Sequence, residues 1–165
     1  MLVHVICRGN VLRSVIAEAY LNALRIPGIT VMSSGTVADI HRDRNAPNVP
    51  RIRELLGRHG VADFAKPVPG EQLTQQRLDI GDVTVCVNQI VQEEVCSLFT
   101  PSGSLVVWDV ADIGEAGRIP RNKRDFDRYL ELVYDEITRH ADVLVAELAP
   151  TRERIEGADG GPSWS

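Results

Sequence analysis

No apolar run in this chain approaches the ~20 residues that a helix needs to cross a bilayer, so no membrane association is expected. The first residues, Met1-Leu2-Val3-His4, put no basic stretch ahead of an apolar core, which gives no secretory signal and makes the cytoplasm the expected location. Cysteine is sparse and odd in number: Cys7, Cys86 and Cys96. That count argues against a disulfide framework and for reduced thiols. The four histidines, His4, His41, His59 and His140, are scattered with no pair at ligand spacing, so no metal site and no cofactor are expected. Positive charge is also short. The net charge of −5 argues against general nucleic-acid binding.

What the chain does have is ordinary globular material, 44% hydrophobic and 25% charged over 165 residues, enough for one domain with a real core. The charge is unevenly spread. Residues 1–60 hold eight Lys/Arg against four Asp/Glu, and residues 61–165 hold ten against nineteen. An anion site in the first third would therefore sit in a favourable local field.

Short, β-branched, nearly continuous apolar runs at 2–7, 29–32, 82–87 and 104–108 read as strands buried on both faces. Helical patterns separate them: 14–24, 48–59 with Gly60 as a stop, 71–78, 89–99, and a long one over 123–148 with Phe126, Leu130, Val133, Ile137 and Val145 on a stripe. Strands alternating with helices pair in parallel through right-handed crossovers. The expectation is a single α/β domain, residues 1–149, with a four-stranded parallel sheet of order 2-1-3-4 and helices on both faces. Residues 150–165 have too little apolar content to fold alone and are expected to form a flexible tail. The polar, Gly- and Pro-rich stretch 112–125 is expected to be a loop over the carboxyl ends of the strands, where such folds bind ligands.

The stretch that carries chemistry is "VICRGNVLRSVIAEAYL", residues 5–21, which passes from the first strand to the first helix through a Cys-x5-Arg loop. A helix opening near Ser14 leaves its first amides unpaired and favours negative charge there. Arg8, Gly9, Asn10, Val11 and Leu12 can curl so that their N–H groups form an anion nest, Gly9 and Asn10 being best suited to unusual backbone angles. Arg13 adds a planar fork that grips two oxygens of a tetrahedral oxyanion. The same dipoles favour the thiolate of Cys7 at the bottom of the nest. A thiolate under a bound phosphate is placed to attack phosphorus.

This loop closely resembles that of the low-molecular-weight protein tyrosine phosphatases and of the thioredoxin-coupled arsenate reductases that share their fold. "SSGT" at 33–36, "RIRELLGRHGV" at 51–61, "DVTVCVNQIVQEEV" at 82–95 and the Trp-Asp stretch at 108–112 follow in the family's order. The resemblance implies a cysteine-dependent phosphomonoester hydrolase that passes through a phosphocysteine. Cys7 would be the nucleophile and Arg13 the phosphate clamp, with Arg8, Gly9, Asn10, Val11, Leu12 and Ser14 binding phosphate. Ser14 would hydrogen-bond the thiolate, and Asn10 would hold the loop's left-handed turn, braced by Ser33. The partner implied is a phosphorylated substrate, either a phosphotyrosine protein or a small phosphate ester.

The family's general acid is the Asp of an Asp-Pro pair after the fourth strand, and this chain has no Asp-Pro. Counting from Trp108 in "WDVADIG" favours Asp112, with Asp109 second. Where the tyrosine phosphatases wall the cleft with aromatics, this chain has Asp39 on one side and Ile113 and Gly114 on the other. Stacking on a phosphotyrosine ring is then poorly supported, and Asp39, Ile40 and His41 are expected to make a polar rim suited to a smaller or more hydrophilic ester. A protective second cysteine, common in the family's loop, is replaced by Leu12. Two alternatives stand: an arsenate reductase relaying electrons through Cys86 and Cys96, and a phosphate-binding module without turnover.

Overall fold

The computed structural model describes residues 1–115 and 117–148. Four parallel strands, β1 (Leu2–Cys7), β2 (Thr30–Gly35), β3 (Val83–Cys86) and β4 (Ser104–Val107), form one sheet in the order β2-β1-β3-β4. The helices are α1 (Arg13–Ala23), α2 (Ala38–Asn45), α3 (Val49–Arg58), α4 (Gln75–Asp79), α5 (Gln89–Leu98) and α6 (Lys123–Leu148), with 3₁₀ turns at Ala46–Asn48 and Ala62–Phe64. This is the α/β architecture that the alternating apolar runs imply. The proposed tail, 150–165, lies outside the described residues.

The strand order decides where the site goes. From β1 the chain steps one way to β2, and from β3 the other way to β4. Crossovers of one hand therefore put α1 and α5 on opposite faces. The direction reverses between β1 and β3, and a crevice opens at the carboxyl end of β1, where Cys7 sits. The central strands are dry: Val5, Ile6, Val85 and Cys86 have no exposed surface. The long helix α6 buries Leu130, Val133, Ile137, Ala141 and Leu144 at helical spacing. It packs on α1, and Tyr20 of α1 donates to Asp142 of α6 at 2.7 Å. Among the described residues no helix is long and apolar enough to cross a membrane.

Three elements depart from the sequence reading. Strand β2 continues through Ser33 and Ser34 to Gly35 because both hydroxyls, although fully buried, find partners: His4 Nε2 lies 2.8 Å from Ser34 Oγ, and Ser33 is held by Asn10 and Glu18. Helix α2 gives no periodic signal because only Ala38 of its eight residues is buried. The helix expected over 71–78 starts later, at Gln75, where the Thr74 hydroxyl caps Arg77 N–H at 3.2 Å. Residues 71–73 instead run beside the end of β2, with Gly35 N–H donating to Glu71 O and Leu73 N–H to Gly35 O, each at 2.8 Å.

Candidate active site

The loop between β1 and α1 is clamped from below. Asn10 takes a left-handed φ of 50°, which asparagine tolerates better than most side chains. Its Oδ1 accepts the Glu71 N–H at 2.8 Å, which orients the amide, so Nδ2 donates to Ser14 Oγ at 3.0 Å and Ser33 Oγ at 2.8 Å. Ser14 therefore accepts from Asn10 and keeps its own proton for Cys7, whose Sγ is 3.0 Å away. The Asn10 N–H also points at that sulfur, at 3.2 Å. Two donors converge on Cys7, and all four side chains of this chain of contacts are buried. Asn10 O accepts from Gly70 N–H at 2.7 Å, and the Arg8 and Cys7 carbonyls accept from Val37 and Thr36 at 3.0 Å.

Behind Ser33 the network ends in charges. Ser33 donates to Glu18, which faces Lys66 at 3.5 Å, and Lys66 Nζ also reaches Ser33 O at 2.6 Å and Glu71 at 2.9 Å. Burial pushes the Glu18 carboxyl up and the Lys66 ammonium down. Ser33 and Lys66 oppose the shift on Glu18, and Glu18 opposes that on Lys66. A lone carboxylate in the otherwise apolar stretch "SVIAEAYL", four residues after Ser14, is the signal from which this partner could have been read.

Arg13, 2% exposed, is the first residue of α1, one place before the expected start. Its Nη1 donates to Val110 O at 3.1 Å and its Nη2 to the Asp112 carboxylate. The other Asp112 oxygen accepts from Ile113 N–H at 2.8 Å, a donor that a proline there would lack. The Asp112 backbone N–H donates to Glu115, and Arg118 ties this loop to α6 through Glu136. Cys7, Gly9, Leu12, Arg13 and Asp112 line a small cavity of about 100 Å³. Asn45, Asn48, Ile113 and Phe126 also line it. A thiol, a guanidinium and a carboxylate thus share one cleft.

A family model for the low molecular weight phosphotyrosine protein phosphatases matches residues 2–154. The chain belongs to that family. It is thereby a hydrolase of the phosphatase type. Solved structures agree on the fold at low identity. The low molecular weight protein tyrosine phosphatase from T. tengcongensis superposes with a TM-score of 0.68 at 17% identity, covering 90% of this chain and 99% of its own. Wzb from Vibrio vulnificus, in complex with benzylphosphonate, gives 0.66 at 20% identity, covering 86% and 97%. The YwlE arginine phosphatase from Geobacillus stearothermophilus gives 0.55 at 17%, covering 88% and 94%. No curated protein matches the chain.

Against this phosphatase frame, several sequence expectations are redrawn. Asp109 is exposed and does not line the cavity, so of the two candidates Asp112 is the one beside Arg13. Asp39, Ile40 and His41 lie on α2 and do not line the cavity, with Asp39 paired to Arg42 and Ile40 79% exposed. The polar lining comes instead from Asn45 and Asn48 further along, and Asn45 lies so close over Gly9 that a Cβ on Gly9 would meet its Nδ2 at 2.6 Å. The Arg8 side chain turns out of the loop to Glu94 of α5 at 2.8 Å, where Thr36 shares the carboxylate. Cys86 is buried in β3 with its thiol pushed up to about 12 by burial and then by Cys96, so it packs as a small hydrophobe.

Proposed function

We propose that this phosphatase hydrolyses phosphate monoesters through a phosphocysteine on Cys7, working in the cytoplasm where its thiol stays reduced. In the first step the Cys7 sulfur attacks phosphorus. The S–P bond forms, the ester P–O bond breaks, and the Asp112 proton goes to the leaving oxygen. Arg13 and the amides of residues 8–13 hold the three non-bridging oxygens. In the second step Asp112 takes a proton from water, the water oxygen attacks phosphorus, and the thiolate departs towards the Ser14 hydroxyl. Backbone and side-chain groups of the chain, with one water as the second nucleophile, fill every role. The observation that carries the reading is the convergence of Asn10 N–H and Ser14 Oγ on the Cys7 sulfur, beneath the Arg13–Asp112 pair.

The walls bear on the substrate. Phe126 offers one ring, and Asn45 and Asn48 offer carboxamides where a second ring would be needed to sandwich a phenyl group. This supports a phosphate ester with a small or hydrophilic leaving group over phosphotyrosine. Arg51 lies 5.0 Å over the Phe126 ring, so the mouth also carries a cation.

The test is phosphate release from p-nitrophenyl phosphate between mildly acidic and neutral pH by the wild type, Cys7→Ser and Asp112→Asn. The expected result is no turnover for Cys7→Ser and a loss of about 10²- to 10⁴-fold in kcat for Asp112→Asn. A silent wild type that still binds phosphate or arsenate would refute the reading in favour of a binding module or a thiol relay. A panel of esters then tests the substrate class: kcat/KM on a phosphotyrosine peptide above that on small hydrophilic phosphates would overturn it.

A further inference from the structure

One polar group near the cleft has no place in that scheme. Tyr129 of α6 is 5% exposed, and its hydroxyl has no hydrogen-bond partner among the described residues. Leaving a buried hydroxyl unpaired is unfavourable, and a phenylalanine would fill the same space without that cost. Tyr129 lies one helical turn after Phe126, the residue that walls the cavity, and the two rings are in contact with centroids 6.2 Å apart. Tyr129 thus lies against the wall of the cavity that Asp112 lines; burial pushes its phenol up most, the Asp112 charge adds to this and Arg13 opposes it.

Both Asp112 carboxylate oxygens are taken, one by Arg13 and the other by Ile113 N–H. A bound phosphate competes for the Arg13 fork, since a dianion is the stronger acceptor for a guanidinium. Asp112 then loses its largest partner at the moment its proton must be aimed. We propose that the Tyr129 hydroxyl is the buried donor that takes over the Asp112 carboxylate when substrate draws Arg13 away, so that Tyr129 is a positioning residue for the general acid. The hydroxyl has no partner among the described residues while Asp112 is engaged with Arg13. The other charged groups around the pair are already committed: Glu115 accepts the Asp112 backbone N–H, and Arg118 is locked to Glu136. Asp109 acts on Arg118 from the solvent side and does not line the cleft.

The inference rests on the phosphatase reading, and Tyr129→Phe tests it in two states. In the ligand-free protein the variant should melt at the wild-type temperature or above it, because the hydroxyl it removes has no partner among the described residues. In turnover of p-nitrophenyl phosphate, kcat should fall about tenfold or more, the scale of a hydrogen bond to a charged group, with KM changed less than about twofold. The basic limb of the kcat–pH profile should move to higher pH. Removing a donor to the carboxylate favours its protonated form, so the acid survives further up the scale. An unchanged kcat and basic limb beside an active wild type would overturn the inference and leave the phosphatase reading standing. A kcat loss matched by an equal loss of inorganic phosphate affinity, or by a lower melting temperature, would make Tyr129 a structural residue and overturn it as well. An inactive wild type would sink both.

Discussion

Replacing Asn10 with alanine isolates the group on which the whole loop rests. The side chain makes three hydrogen bonds, to Glu71 N–H, Ser14 Oγ and Ser33 Oγ, from a position with no exposed surface. At a net 0.5–1.5 kcal/mol each, their loss costs about 3 kcal/mol. Alanine must also adopt the left-handed φ of 50°, which costs roughly another 1 kcal/mol. The sum, about 4 kcal/mol, is a large part of the 5–15 kcal/mol that typically holds a domain together. Urea unfolding of wild type and Asn10→Ala measures it directly, and the melting temperature should fall by roughly 8–16 °C. Asn10→Gly, run beside it, relaxes the backbone but still loses the three bonds, so it should also be destabilised by about 3 kcal/mol. A loss below about 1 kcal/mol for alanine would refute the argument that these bonds hold the loop. In that case the converging donors on Cys7 would need another explanation.

Two further outcomes follow from the same geometry. His4 is buried against Ser34 and lowered to about 4, first by burial and then by Arg77 and Lys66. The unfolded chain, with a histidine near 6.5, binds the extra proton first, so this site's contribution to stability is complete above that pH and is lost as pH falls towards 4, by roughly 3 kcal/mol in all. Urea midpoints for wild type and His4→Gln across pH 4–7 should show that slope in the wild type alone; parallel slopes would contradict it. Gly35, at the end of β2, lies so close under the phosphate loop that a Cβ there would meet Arg8 O at 2.5 Å and Asn10 N at 2.8 Å. All the nearest atoms are backbone, so Gly35→Ala should displace the loop and cut kcat/KM at least tenfold, and wild-type turnover in that variant would show that the loop tolerates the shift.

Much of the site could be read from "VICRGNVLRS" because the chemistry there is local. The Cys7 thiol, the left-handed Asn10, the Arg13 guanidinium and the Ser14 hydroxyl lie within eight consecutive residues, and a strand-to-helix turn brings them together whatever the rest of the chain does. The strands were legible for a similar reason: β-branched runs buried on both faces need no knowledge of their partners. Helix α2 and the end of β2 were not legible. The first buries almost nothing, and the second buries serines whose partners lie on β1, on the loop and on α1.

The sequence by itself determined that a thiol and a guanidinium would meet at the end of the first strand, and that the sheet would be parallel with helices between its strands. Those follow from residue types and spacing along a few turns of chain. Only the tertiary structure decided that Asp112, the aspartate counted from Trp108, reaches that guanidinium, that Asn45 and Asn48 line the cleft in place of Asp39, Ile40 and His41, and that Glu18 and Lys66 stand behind Ser33 and Tyr129 beside Phe126. These residues are separated from Cys7 by between eleven and more than a hundred positions. Their meeting is set by how α1 and α6 pack on the sheet and where the loops after β2 and β4 return, and apart from the signals at Glu18 and Asp112 no local pattern in the sequence encodes that geometry.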